Sequence, residues 1–536
     1  MTATQVELAA AEDRSSAQVD TERLALDGPL EWPPRKPSYD RTFGTLGLGT
    51  ISHRSADPYL LLATRARGGE PQDHRGTTRN RVRLTDPTIV RPATRRDSIV
   101  AERTFYRRAV EAAVWGLPLV GFDALRQALL RDAGAEYGDI VYWSRPGDWR
   151  LQLPTPSAST LYFQLNFNVR AGPVVIEVPS ALGTGFTGTI EDAWQTPIAR
   201  VGAGGDDDGR GARYLVLPPG WEDAAPDGYF PVRSSTFNGQ LRVQVVASAA
   251  TAVGSPALEV MRQLRAYSLS GPARPRTPRF VDMSGKLFDG VVTFDEDFYD
   301  SLALMVNEEP VQRRDVLAMA LLRSIGIEKG KSFGPEPGAS ALFAKAIAEV
   351  HAGLVESALS CDGYWPASHW TRPASVVGGR TGHGDEEERL DVDARACNAY
   401  LGATTVTRDF DARRFDVRTT CDSSGEPLHE LRSYRLRVPA GVPARRLWSV
   451  AVYDLDTASF IRHAPRVSID SNDRLLPANA DGTVDVYFGR RPPNGREANW
   501  ISTAGCRQWY AVFTLVGPRQ PVFDRSWRLG DIEAVR

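Results

Sequence analysis

Histidine and cysteine, the residues that most often hold transition metals or build disulfide frameworks, are scarce in this chain: 7 and 4 among 536 residues. Cys361, Cys397, Cys421 and Cys506 are widely spaced and form no C-x-x-C pair, which excludes a zinc-ribbon signature and a dense disulfide scaffold and leaves reduced structural thiols as the expectation. His53, His74, His351, His369, His383, His429 and His463 are equally dispersed, so neither a metal nor any other cofactor is expected. G-x-S-x-G, H-E-x-x-H and the P-loop are all absent, which removes the commonest hydrolase, metalloprotease and nucleotide-binding signatures. Long apolar runs are missing too. Ala109 to Phe122 comes nearest and is broken by Glu111 and Pro118, so no membrane partner is expected. The N-terminus, MTATQVELAA, lacks the basic and apolar regions of a secretory leader, and a cytoplasmic location is the expectation. Nor is there an excess of charge of one sign: the net charge is -2, which gives no global electrostatic case for nucleic acid.

What is present is the size and texture of a soluble globular protein with more than one core: 42% hydrophobic and 24% charged residues. Residues 1–98 are rich in Pro, Gly, Thr and Arg and poor in periodicity, and they read as an Arg-rich extension. Within them Gly44, Gly47 and Gly49 punctuate a 42–52 stretch that reads as a turn-rich strand pair rather than a phosphate loop. Phe105, Ala109, Ala112 and Ala113 recur at helical spacing; Gly116-Leu117-Pro118 is expected to end that helix, with a second one over 122–131.

The organising stretch lies at 151–179. Leu161, Phe163, Leu165, Phe167 and Val169 alternate with Tyr162, Gln164, Asn166 and Asn168, the period of a strand with one apolar and one polar face. Ala171-Gly172-Pro173 turns the chain into 174–178, apolar on both faces and so expected to be covered on both. Short strands at 188–198, 214–217 and 241–246, spaced by Gly- and Pro-rich turns, complete a β-rich domain over 99–255. A helical segment over 256–390 follows. Its clearest member spans 340–359, where Phe343, Ile347, Val350 and Leu354 form one stripe beside His351, which reads as a packed or surface residue. After an aromatic cluster (Tyr364, Trp365, His369, Trp370) and an acidic run at 385–388, strand texture returns over 391–536, with apolar runs at 447–455, 484–488 and 509–516. The expected fold class is mainly β with α: two β-sandwich-like domains joined by a helical segment.

Two sets of motif pieces carry a family resemblance. Gly116-Leu117-Pro118, Thr155-Pro156, Thr160 to Tyr162, Gly172 to Val175, Val178-Pro179, Asp192 and Pro219-Gly220-Trp221 resemble the domain-of-unknown-function family 1254. Arg395-Ala396, Asp422 to Tyr434, Leu447 to Val450 with Tyr453-Asp454, Arg466 to Ile469, Asp481-Gly482, Asn499-Trp500, Gly517-Pro518 and Ser526-Trp527 resemble family 1214. The resemblance implies a fold more than an activity. It also exposes departures: where relatives look like T-P-N-x-D-T-x-Y this chain has Ser157 and Ser159, and a further Asp expected on the first long strand is Asn166.

Two constellations of residues bear on function. Asp454, His463 and Arg466 follow one strand closely enough for a hairpin to gather a carboxylate, an imidazole and a guanidinium, a set suited to acid/base or hydrolytic catalysis on a small organic molecule. The opposing reading is a structural salt bridge. The second set is a ligand-binding wall of Tyr162, Gln164 and Asn166 with Trp194 and Trp221, joined by Arg395, suited to a carbohydrate or planar organic ligand; its opposing reading is a solvated sheet face. A homo-oligomeric scaffold built on the aromatics is the third functional class the sequence leaves open.

Overall fold

The computed structural model describes residues 95–246, 256–271, 276–336, 338–359, 363–372, 380–381, 389–402 and 414–535. The expectations for residues 1–94, for Cys361 and for the acidic run at 385–388 lie outside these.

The strand Thr160–Asn168 sits inside a six-stranded sheet with the order Phe280–Asp282, Ile140–Tyr142, Thr160–Asn168, Asn238–Val246, Thr187–Asp192, Pro197–Gly202. Its odd-numbered side chains, Leu161 to Phe167, join Val174, Ile176, Tyr214 and Val216 of a four-stranded sheet (Arg265–Ser268, Val174–Val178, Ala212–Leu217, Phe230–Arg233) in one apolar cluster. On the far side of that second sheet Val175, Leu215 and Leu217 pack with Trp221, Tyr229 and Tyr267, so the 174–178 strand is covered on both faces as its composition requires.

A second pair of sheets forms from the C-terminal third. Arg414–Thr419, Trp509–Pro518, Ala444–Asp454 and Ser459–Phe460 are successive neighbours, with Ser468–Asp470 also paired to Ala444–Asp454. Trp500–Ser502, Val484–Gly489, Ser433–Val438 and Glu533–Val535 form the other sheet. Odd residues of the 509–518 strand meet this second sheet and its flanking aromatics: Trp509 packs on Tyr434 and Phe488, and Phe513 stacks on Trp448. The fold is mainly β with helices between the two β regions.

The helical body differs from expectation at its start. Instead of two helices broken at Gly116-Leu117-Pro118, one helix runs Arg95–Arg131 with Pro118 inside it. Proline forfeits one intrahelical bond, and packing compensates: Gln195 donates to the Pro118 carbonyl (2.8 Å), and Gly116 brings the helix so near Leu302 that a Cβ there would lie 2.4 Å from a Leu302 methyl. Helices Asp297–Glu308, Val316–Arg323 and Ala339–Leu359 pack around it, the last burying Phe343, Ile347, Val350 and Leu354 as its stripe predicts. Helix Val392–Leu401 stands where strand texture was expected; Asp391 caps its start by accepting from Ala394 N–H (2.8 Å), and Gly402 ends it at φ 63°. Among the described residues no helix is long and apolar enough to cross a membrane.

Candidate functional site

The polar face of the six-stranded sheet follows from register. Tyr162 pairs with Gln244 and Gln244 with Thr187; Gln164 pairs with Arg242 and Arg242 with Thr189; Asn166 pairs with Gln240 and Gln240 with Glu191. Side chains opposite one another across antiparallel strands share a face, so these nine form three polar rows. They are not solvated: Gln164, Asn166, Thr189, Glu191 and Gln240 are buried, and Tyr162, Arg242, Gln244 and Thr187 are half-buried. Burial requires partners. Glu191, fully buried, accepts from Thr189 Oγ1 (2.7 Å), Gln240 Nε2 (2.8 Å) and Arg242 Nη2 (2.8 Å), while Gln164 Nε2 donates to Gln240 Oε1 (3.2 Å). Asn166 Oδ1 has no partner among the described residues.

The C-terminal five-strand arrangement approaches the edges of these rows. One of its faces carries, by register, Arg414, Asp416, Arg418, Tyr510, Val512, Thr514, Val516, Leu447, Ser449, Ala451 and Tyr453, of which Tyr510, Val512, Ala451 and Tyr453 are part of an apolar core cluster. Two contacts bracket the space. At one end Tyr453 Oη donates to the Pro156 carbonyl (2.7 Å), and Ser157 N–H donates to Tyr162 Oη (2.7 Å). At the other, a Cβ on Gly185, just before the 187–192 strand, would lie 3.7 Å from Arg446 Nη2, at the start of the 444–454 strand. Along that face Ser449, Ala451, Val512 and Thr514 are followed by Leu447 and Val516 in the row of Arg414.

Arg414 is the charged centre of this space. Its Nε donates to both Asp416 oxygens (2.9 and 2.7 Å), and Thr514 Oγ1 donates to Asp416 Oδ1 (2.5 Å). The side chains of Arg414 and Asp416 keep 28% and 34% exposure. Burial lowers the Arg414 pKa, but Asp416 together with Tyr162 and Tyr453 outweighs it and holds the guanidinium above its ordinary value. Burial raises the Tyr162 pKa against the opposing pull of Arg414, the Ser157 N–H and Arg242, so the phenol is neutral and the arginine charged at physiological pH.

The sequence-derived candidates are distributed over three places. Tyr162, Gln164 and Asn166 line the recess. Trp194 and Arg395 meet elsewhere, at the junction of the leading helix with helix Val392–Leu401: the guanidinium lies 4.4 Å over the Trp194 ring, which packs edge-on to Trp115 at 4.9 Å. Arg395 Nη2 donates to the Trp115 carbonyl (2.9 Å), and burial together with neighbouring Arg314 brings its pKa down to about 10 against the pull of Asp315 and Asp192. Trp221 is on the outer face of the four-stranded sheet, where its carbonyl accepts from Arg233.

Asp454, His463 and Arg466 each have other partners, and no hydrogen bond or ion pair among the described residues joins one to another. Asp454 ends its strand and accepts from Asp456 N–H (3.0 Å); burial pushes its carboxyl up to about 7, with Arg462 opposing. His463, at φ 63°, packs on Trp149 at 4.3 Å between ring centroids. Arg466 donates to the Ala498 carbonyl and reaches Asp473 at 3.7 Å. A separate cavity of about 250 Å³, lined by Trp143, Arg145, Asp148, Leu151, Met283 and Lys286, contains none of the candidates.

Sequence reading missed Glu191, Arg242, Arg414 and Asp416. The signal for the last two was there: Arg414-Phe415-Asp416-Val417-Arg418 alternates charge with apolar residues, the same period that exposed Tyr162 to Asn168.

Residues 138–268 match the family model described as Protein of unknown function (DUF1254), and residues 414–520 match that described as Protein of unknown function (DUF1214), in the order the motif pieces implied. One wall of the recess comes from each matched region, and Arg395 falls outside both. Among solved structures, the VPA0106 protein from Vibrio parahaemolyticus is similar at 18% identity and a TM-score of 0.46, over 81% of this chain and 100% of that one. An uncharacterized protein from Burkholderia cenocepacia is similar at 15% identity and a TM-score of 0.39, over 82% of this chain and 97% of that one. No curated protein matches the chain.

Proposed function

We propose that the protein binds a small polar organic molecule in the recess between the polar face of its N-terminal sheet and the Arg414-bearing face of its C-terminal sheet. The observation that carries this reading is the state of Tyr162, Arg242, Arg414 and Asp416: ion-paired or hydrogen-bonded, and still partly accessible where the C-terminal sheet meets the 156–157 strap. A sheet face evolved only to pack would be apolar, because burying amides and charges costs free energy that their mutual bonds merely offset. A face evolved only for solubility would not be buried. Ligand sites combine concavity with a few converging polar groups on an apolar wall, and Ala451 and Val512 of the C-terminal sheet supply such a wall.

The test is a thermal-shift and ligand-observed NMR screen of polar metabolite-sized molecules against the whole chain. Hits are expected to be lost in Ala451→Phe, which thickens the wall, and in Thr187→Trp, which fills the half-exposed edge, with circular dichroism unchanged. Hits that persist undiminished in both folded variants would overturn the reading.

A further inference from the structure

Two segments run side by side between two short parallel ladders, and their unequal lengths open a cavity. Ile140–Tyr142 pairs in parallel with Phe280–Asp282, and Leu151–Gln152 with Phe288–Asp289. Between the ladders one segment takes eight residues (143–150) and the other five (283–287), so the longer must bow away from the shorter. Gly147 lies on the bow: a Cβ there would sit 2.5 Å from a Leu151 methyl, so the segment folds back over that side chain. The shorter segment turns at Ser284-Gly285, with Gly285 at φ 75° and Lys286 N–H donating to the Met283 carbonyl (3.0 Å). The space enclosed is the cavity of about 250 Å³, small for a ligand site. None of the recess residues lines it.

The lining is apolar within and positive at the mouth. Trp143, Leu151 and Met283 are buried in one apolar cluster with Leu125 and Phe288, and they form the inner wall. Trp143 Nε1 is closed to solvent and offers nothing to an occupant. The polar groups that pin the two segments together are spent on one another: Asp282 accepts from Ser144 Oγ (2.5 Å) and Ser284 N–H (2.9 Å), and Ser284 Oγ accepts from Arg145 N–H (3.2 Å). Asp148, the one acid in the lining, accepts from Arg150 N–H (2.8 Å) and Arg150 Nη1 (3.0 Å). The two cations in the lining are uncommitted. Arg145 and Lys286 are exposed, and no hydrogen bond or ion pair among the described residues engages the guanidinium or the ammonium. A Cβ on Gly285 would lie 3.5 Å from Arg145 Nη2, so the guanidinium reaches across to the turn that carries Lys286.

We propose that this cavity is a binding site for a small organic carboxylate with a flat apolar body, a site separate from the recess and independent of the reading given to it. The body lies against Trp143, Leu151 and Met283, and the carboxylate meets Arg145 and Lys286 at the mouth. The guanidinium offers paired donors in the plane of a carboxylate, and the ammonium adds a point charge. A neutral analogue of the same shape keeps the wall contacts and loses the ion pairs. A bare anion keeps the ion pairs and loses the wall.

The experiment titrates the full chain, isotopically labelled at the methyl groups of its 5 methionines, with benzoate, benzamide and acetate, and Met283→Leu identifies the Met283 signal. Benzoate is expected to shift that signal saturably and to bind about fivefold more tightly than benzamide, the size expected of ion pairs at an exposed rim. Acetate should bind more weakly than benzoate, and added salt should narrow the gap between benzoate and benzamide. In the double variant Arg145→Gln, Lys286→Gln the preference should fall to near unity with benzamide affinity unchanged; both side chains are exposed and unpaired, so the fold does not depend on them. Ala451→Phe, in the recess, should leave benzoate binding as it is. Equal affinity for benzoate and benzamide in the unaltered chain overturns the proposal, and so does a preference that survives the double variant, or no binding of benzoate at all. Benzoate that leaves the Met283 signal unmoved and is lost in Ala451→Phe occupies the recess instead: the proposal then falls and the reading of the recess stands.

Discussion

Asp454 shows how a single residue sets pH behaviour without belonging to the recess. It is an even-numbered position on the 444–454 strand, opposite Trp509, so it points away from the face that carries Ser449, Ala451 and Tyr453. Burial raises its carboxyl to about 7, whereas an aspartate in an unfolded chain titrates near 4. Between those values the folded chain retains a proton that the unfolded chain has released, so stability falls as pH rises from about 4 to 7 and levels off above, by at most about 4 kcal/mol. Asp454→Asn cannot ionise. The stability of that variant relative to the unaltered chain, from urea unfolding at a series of pH values, is expected to climb steadily across this window and then stay flat. A difference independent of pH would show that Asp454 is ionised throughout.

The 154–157 strap is the element on which the two β regions meet. Thr155 holds φ 44°, an uncommon conformation for a β-branched residue, and three bonds keep it there: its N–H donates to the Ala458 carbonyl (2.6 Å), its hydroxyl donates to the Leu401 carbonyl (2.7 Å), and it shares a bond with the Tyr510 hydroxyl (2.7 Å). Thr155→Ala removes two of these and is expected to cost about 1–2 kcal/mol in chemical denaturation, with Thr155→Ser close to the unaltered chain. An alanine variant of full stability would mean that the strap is held by packing alone. This element also marks how far the sequence could be read. The 160–168 alternation foretold the strand and its polar face, because period is a local property; whether that face is buried is set by residues distant in the chain, so Tyr162, Gln164 and Asn166 were identifiable and their burial was not. Helix Val392–Leu401 was missed although Asp391 and Gly402 mark its ends, since ten residues carrying both Arg395 and Asp393 show little apolar periodicity. Pro118 misled for a similar reason: local propensity predicts a break, and the tertiary contacts of Gly116 and Gln195 decide otherwise.

At the scale of the molecule, the two β regions are fastened at many independent points. Arg462 pairs with Asp289 (2.8 Å), Gln152 donates to the Phe460 carbonyl (3.0 Å), His463 packs on Trp149, and Arg395 ties helix Val392–Leu401 to the leading helix. With this many shared contacts neither region can lose its structure without exposing buried polar groups of the other, so unfolding is expected to be one cooperative transition rather than two. Gly402 tests the coupling directly. A Cβ there would sit 2.3 Å from the Pro154 carbonyl oxygen, which is backbone and cannot swing aside, and the residue is at φ 63°. Gly402→Ala therefore opposes both the helix end and the strap, at a cost of about 2 kcal/mol or more. Scanning calorimetry of the whole chain should give a single endotherm that moves to lower temperature in the variant and keeps its shape. Two separated endotherms in the unaltered chain, or a variant in which only part of the heat shifts, would mean that the walls of the recess belong to independently folding bodies, and the recess would then open and close with their separate motions.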